Sequence, residues 1–332
     1  MNFNDFGIVC PICKGEIKTF DSTISCRTCN HIFPIILGIP DLRYPPVDLD
    51  KIDKTMLDQY EKKSYADLFN ILVSKTRLPD KIIEDSHNYY QNQGERTTNM
   101  TEMFLDKLRT NFGEPTLFRA LDLGCGSGAG VVALSRYFEQ VIGIDSSLAQ
   151  LLIAKKYLSD FRIGNFILIC ANAENLPVNN QTISYIQATN VIEHIVNVKK
   201  VLREISRILN GNGYFSADSR NRYDIFFPEP HTGIRFLGFL PRKFIPKYVN
   251  YRCKSDYEKT QLLSFKKTKE IMNNNFLGDF KIIFPSVKSY GKPAWLDRWI
   301  TCIEKLPIIR NLVIRVFTTH IIIGQKQPKM EM

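Results

Sequence analysis

Ala120-Leu121-Asp122-Leu123-Gly124-Cys125-Gly126-Ser127-Gly128-Ala129-Gly130 is the stretch on which the reading of this chain turns. The apolar run from Arg119 to Leu123 predicts a buried strand. The alternating glycines predict a tight turn, and Val131 to Phe138 has helical spacing. Glycine lets the backbone turn and approach a ligand where a Cβ would collide. The helix that follows would present its N-terminal amides to that ligand. By itself, a strand, a glycine turn and a helix predict a nucleotide-like ligand and nothing finer.

Outward from this turn, strands and helices alternate. Strands are predicted at Leu117–Leu123, Gln140–Asp145, Phe166–Cys170, Ile183–Ala188 and Tyr214–Asp218, with two more at Phe280–Phe284 and Thr319–Gln325, the latter ending the sheet. A helix is predicted from Val198 to Leu209, with Asn210-Gly211-Asn212-Gly213 ending it. Continuously apolar strands imply a parallel sheet covered on both faces. Asp145 ends the second strand, twenty-one residues after Gly124. There a carboxylate accepts hydrogen bonds from ribose hydroxyls and repels a 2′-phosphate, so an unphosphorylated ribose is expected. The segments Asn172-Ala173-Glu174-Asn175-Leu176-Pro177 and Asn190-Val191-Ile192-Glu193-His194-Ile195 follow the third and fourth strands. Both therefore reach the carboxyl edge, where ligands of such sheets bind.

The set "LDLGCGSG", "VIGIDSS", "ANAENLPV", "NVIEHI" and "VLREISRILNGNGYF" resembles the class I S-adenosylmethionine-dependent methyltransferases over about residues 115 to 220. The resemblance implies a seven-stranded Rossmann-like α/β sheet with helices on both faces. It implies that Asp122 and Ser146 belong to the cofactor site, and that the Gly124, Gly126 and Gly128 loop cradles the methionine part of S-adenosylmethionine. Asp145 would hold the ribose, Asn172, Ala173 and Glu174 would lie by the adenine, and Asn190 near the sulfonium.

Cys10-Pro11-Ile12-Cys13 and Cys26-Arg27-Thr28-Cys29 are two Cys-x-x-Cys pairs separated by twelve residues. Four thiolates suit a closed tetrahedral Zn²⁺ site, and a module this small needs the metal to fold. His31 is expected to be a surface or packing residue, since four cysteines complete the site. The two pairs followed by "FPI-x-x-GIPDL" resemble the small zinc ribbon found fused to, or partnering, many methyltransferases. Tyr44-Pro45-Pro46 and the charged residues to Asp53 predict a linker, and Met56 to Val73 a helix. Lys81 to Phe112 predicts one or two helices, with packing as the expected role of Tyr89 and Tyr90 and capping of the cofactor as the alternative. The expected division is a zinc ribbon over 1–45, a linker and helices over 46–112, and a methyltransferase domain over 113–332 with an acceptor-site insertion at about 219–278.

The chain has 332 residues, 44% hydrophobic, and a net charge of +10. Residues 199–332 hold 25 Lys/Arg against 11 Asp/Glu, a balance of +14, and residues 1–198 hold 19 against 23. The basic surplus suits a polyanion or a negative membrane surface, or an ordinary solvated lysine-rich face. The opening residues have no basic and apolar signal pattern, no apolar run reaches a spanning length, and paired cysteines suit a reducing compartment, so a cytoplasmic location is expected.

Methyl transfer to a hydroxyl needs a base, and His194 and His231 are the candidates. "NRYDIFFPEPH…GFLPR" resembles methyltransferases of bacterial or archaeal glycan and cell-surface biosynthesis. The expected reaction is O-methylation of a small-molecule or glycan acceptor, lipid-linked acceptors included. The alternatives are an RNA methyltransferase and a non-catalytic scaffold of the same fold. From Trp299 to Phe317, periodicity favours a core helix with a basic outer face over peripheral contact with a membrane.

Overall fold

The structure is a computed structural model that describes residues 3–74, 92–161, 163–229, 232–254, 257, 260–285 and 295–328. The cysteine-rich N-terminus forms an antiparallel sheet of β1 (Ile17–Thr19), β2 (Thr23–Cys26), β3 (Ile32–Ile36) and β4 (Ile39–Pro40). Two helices follow, α1 (Lys51–Gln59) and α2 (Tyr65–Ser74). The expected linker gives way to helix at Lys51 because the Asp50 side chain accepts the Asp53 N–H while the Asp53 side chain accepts the Asp50 N–H. That reciprocal cap is strong enough to start a helix in charged sequence. Helix α3 (Gln93–Phe112) runs through Gly94 without a break. Tyr89 and Tyr90 lie outside the described residues.

The large sheet contains β5 (Arg119–Leu123), β6 (Gln140–Asp145), β7 (Phe166–Cys170), β8 (Ile183–Ala188), β9 (Leu209–Arg220), β10 (Gly278–Ile283) and β11 (Thr319–Lys326). Its order is β10-β11-β9-β8-β5-β6-β7. The five strands from β5 to β9 run parallel, while β11 is antiparallel to both β9 and β10. The last strand in sequence therefore inserts between β9 and β10, and β10 forms that edge. Between them run α4 (Ala129–Ser135), α5 (Leu148–Ser159), α6 (Val198–Ile208), α7 (Ile245–Cys253), α8 (Phe265–Asn275), α9 (Trp295–Glu304) and α10 (Pro307–Val313). The expected loop at Asn210–Gly213 is instead the irregular start of β9. Ile183 pairs with Leu209 and Tyr185 with Tyr214, so the extra residues bulge out of register.

Alternation along the strands divides the core. Leu121, Leu123, Ile142 and Ile144 face α6, α8 and the N-terminal cysteine module. Ala120 and Val141 face the side covered by α1 to α5. The cysteine module is thus bonded into the larger domain. The Leu42 N–H donates to the Cys170 carbonyl at 2.7 Å, alongside a parallel bridge between Asp41 and Cys170. Val9 N–H donates to the Pro177 carbonyl and Asn179 N–H to the Gly7 carbonyl. Ile8, Ile17, Ile24, Phe33 and Leu42 belong to the same buried cluster as the sheet.

Candidate functional site

Parallel strands bring their carboxyl ends to one edge, and the sheet order reverses beside β5, whose neighbours are β6 and β8. Such a switch point opens a crevice for a ligand. The turn after β5 has positive φ at Gly124 (71°), Gly126 (49°) and Gly128 (90°). The Gly126 N–H donates to Asp145 Oδ2 at 3.0 Å, and the Ser147 N–H to Asp145 Oδ1 at 2.8 Å. One carboxylate therefore fixes both the glycine turn and the start of α5, and each oxygen keeps a lone pair for a further donor.

Two glycines here have different reasons. A methyl group on Gly124 would lie 2.4 Å from Val191 Cγ2, so its absence lets the loop after β8 close against the turn. A methyl group on Gly126 would meet no atom of the described residues within 4 Å. Among the described residues, none packs against the Cα face of Gly126.

Asp122 is buried, with its carboxyl pushed up to about 7 by burial and by the charge of Asp145. Burial also raises the Asp145 carboxyl, against the lowering effect of its N–H donors. The Asn190 backbone, at φ 54°, donates to Asp218 Oδ1 at 2.6 Å. The structure thus places Asp122, Gly124, Gly126, Gly128, Asp145, Ser146 and Asn190 in or just after the carboxyl ends of the adjacent strands β5, β6 and β8.

The segment after β7 also makes structural bonds. Asn172 Nδ2 and Asn175 Nδ2 both donate to the Tyr44 carbonyl, at 3.1 and 3.3 Å. Glu174 Oε1 accepts the Asn197 N–H at the start of α6. Each of these bonds uses one polar atom of its side chain and ties the segment to the cysteine module's exit and to α6.

Sequence reasoning missed a second ring of residues. Arg43 Nε and Nη2 donate to Asp41 Oδ1 and Oδ2 at 2.8 and 2.6 Å, and Nη1 reaches the Ser146 carbonyl at 3.4 Å. Both partners are buried. Asp53 Oδ1 accepts the Ala149 N–H in α5. Ser127 Oγ donates to Gln93 Oε1 at 2.7 Å, and Gln93 Nε2 donates to the Tyr65 hydroxyl. No local pattern marks the links from Arg43 to Ser146, from Asp53 to Ala149 and from Gln93 to Ser127, because each joins residues more than thirty positions apart.

On the acceptor side, His194 is exposed on a short 3-10 turn (Ile192–His194). His231 lies outside the described residues. The buried residue of that turn is Glu193, whose carboxyl is pushed up to about 8, first by burial and then by the charges of Asp218 and Glu229. Among the described residues Glu193 Oε2 has no hydrogen-bond partner. The Gln261 N–H donates to the Glu193 carbonyl, tying the insertion after β9 back onto this turn. Beside it lies an open cleft of about 160 Å³, bordered by Arg222, Arg242, Ile245, Tyr257 and Leu262.

The four cysteines also come together. Cys10, Cys13, Cys26 and Cys29 place their Sγ atoms within 4.8 Å of one another, with Cys10 to Cys29 at 3.7 Å and Cys13 to Cys26 at 3.4 Å. Four sulfurs about 2.3 Å from a tetrahedral centre are about 3.8 Å apart, so the set fits a four-thiolate metal. Thr28 and Cys29 direct their N–H groups at Cys26 Sγ, the arrangement of a thiolate knuckle.

The fold and crevice define a Rossmann-like methyltransferase domain. Comparison with known families agrees: residues 121–217 match the family described as "Methyltransferase domain". An uncharacterized methyltransferase of Bacillus subtilis is 26% identical over 182 residues, covering 55% of this chain and 64% of that protein. A ubiquinone biosynthesis O-methyltransferase of Bradyrhizobium diazoefficiens is 30% identical over 125 residues, covering 37% and 49%. The chain therefore spans about half to two thirds of the length of these relatives. Among solved structures, the Bacillus subtilis protein superimposes with a TM-score of 0.43 at 18% identity, over 68% of this chain and 99% of that one. Geranyl diphosphate C-methyltransferase from Streptomyces coelicolor does so at 0.46 and 18%, over 75% and 82%.

Proposed function

We propose that the protein is an S-adenosylmethionine-dependent methyltransferase that O-methylates a small-molecule or glycan acceptor. The observation that carries this reading is the glycine turn that Asp145 pins at the carboxyl edge of the sheet. Asp145 would hold the ribose hydroxyls, and the turn amides would lie along the methionine part. S-adenosylmethionine, when bound, supplies a methyl group on a positively charged sulfur. The chain's own task is to align an acceptor oxygen and take its proton. Glu193 is better placed for this than His194, because it is buried next to Asn190 with an unpartnered oxygen and a proton affinity near neutrality. The four thiolates would hold a structural Zn²⁺ with no open position.

The test is transfer of labelled methyl groups into fractionated cell extract. Label in polar-glycan or small-molecule fractions supports the proposal. Label in RNA alone, or cofactor binding with no transfer, would sink it.

The two glycines separate packing from ligand space. Gly124→Ala is expected to lower stability by about 2 kcal/mol or more, through positive-φ strain and collision with Val191. Gly126→Ala should cost about 1 kcal/mol of stability. It should nonetheless weaken cofactor binding roughly tenfold, equivalent to about 1.4 kcal/mol. Thermal melts and calorimetry on both variants check this.

Glu193 also has a pH signature. Its folded carboxyl holds a proton more tightly than an unfolded one, so the folded state binds more protons between the ordinary glutamate range and about pH 8. Stability should therefore fall as pH rises through that window and level off above it. Glu193→Gln should flatten this slope and depress methyl transfer more than cofactor binding. An unchanged pH slope of the melting temperature would remove the buried-acid assignment.

A further inference from the structure

The helical hairpin before β11 departs from the core packing that periodicity favours. Helix α9 buries Ile300 and Ile303, but α10 buries nothing. Ile308 is 80% and Leu312 61% exposed, with Leu306 and Ile309 also exposed. A second exposed group lies in the insertion after β9, where Phe236, Phe239, Phe244 and Tyr251 are at the surface. The groups approach through residues 223–227: Tyr223 packs on Phe239 at 5.2 Å between ring centroids and Phe226 on Trp299 at 6.5 Å.

Topology sets both groups at the ligand edge of the sheet. The insertion leaves the carboxyl end of β9 at Arg220, and the hairpin enters β11 at Thr319, which pairs with Arg220. Charge is one-sided. Residues 235–252 hold five Lys/Arg and no Asp/Glu, and residues 298–315 hold four against one. Arg242, Lys243, Lys247, Lys305 and Arg315 are exposed.

We infer that this edge docks on an anionic lipid bilayer. Large apolar and aromatic side chains interleaved with Lys and Arg match an interface whose headgroups are negative and whose interior is apolar. A second copy of the same face would set like charges against each other. No helix among the described residues is long and apolar enough to cross a membrane, so the contact is peripheral. Docked in this way, the acceptor cleft beside Arg222 and Arg242 opens towards the lipid headgroups.

The inference rests on surface and charge alone, so vesicle binding and methyl transfer can fail independently. The full chain is sedimented with vesicles of phosphatidylcholine, with and without phosphatidylglycerol. Binding to the phosphatidylglycerol vesicles should be at least about tenfold stronger and should weaken with added salt. Ile308→Asp with Leu312→Asp should reduce it about tenfold with an unchanged melting temperature, since neither side chain is packed. Lys243→Glu with Lys247→Glu should abolish the preference for phosphatidylglycerol. Equal binding to both vesicles, or no loss in the Asp variant, overturns the inference. So does a dimer in sedimentation velocity that the Asp variant dissociates, or RNA binding that the Glu variant abolishes while vesicle binding persists.

Discussion

Asp145→Ala is expected to weaken S-adenosylhomocysteine binding by about 1.5–3 kcal/mol, roughly ten- to hundredfold in Kd. Two losses combine. The ribose hydroxyls lose a charged acceptor, and the Gly126 and Ser147 N–H groups lose the oxygen that orients them. The turn is then free to move away from the geometry that the ligand needs. Asp145→Asn is not a mild version. Its amide can accept from only one of the two N–H groups and sets its own N–H₂ against the other. Both variants should keep most of their thermal stability, because the carboxylate is itself costly to bury. Calorimetry with unchanged affinity in Asp145→Ala would refute the ribose role.

Removing the metal ligands should do the reverse, damaging stability before it touches the ligand crevice directly. Cys26→Ala is expected to lower the melting temperature by roughly 10 °C or more, equivalent to several kcal/mol for a domain of this size. The reason lies in the shared core. Ile17, Ile24 and Phe33 are buried only while the thiolate cluster holds β1 to β3, and they pack into the same cluster as Ile144 and Ile169. Strong chelators should reproduce the shift in the wild type and leave Cys26→Ala unmoved. A wild-type melting curve indifferent to chelation would argue against a metal in the thiolate cluster. Cofactor affinity should also fall on chelation, since Arg43 holds the Ser146 carbonyl from the cysteine module's exit strand.

The sequence made β6, β7 and β8 readable to the residue, because each is a short apolar run between polar turns. The glycine turn, Asp145 and the cysteine pairs were legible because their chemistry depends on local spacing. What stayed hidden depends on contacts between distant residues. Nothing near Asn172 says that its amide is spent on the Tyr44 carbonyl. Nothing near Gln93 announces Ser127. Glu193 and His194 are adjacent and equally plausible as text, and only burial separates them. The exposure of α10 was invisible for the same reason: an apolar helix reads alike whether or not anything covers it.

The bond from Leu42 to Cys170 has a consequence beyond the crevice. It pairs the outer side of β7 at its carboxyl end, Cys170, which would otherwise present an unpaired carbonyl at the sheet edge. Strands left open in that manner recruit strands from other molecules. A chain that has lost its thiolate cluster would release Asp41 and Leu42 from that margin and expose a template for aggregation. The small N-terminal module therefore acts as a selvedge, finishing the woven edge of the larger sheet so that it does not fray into its neighbours.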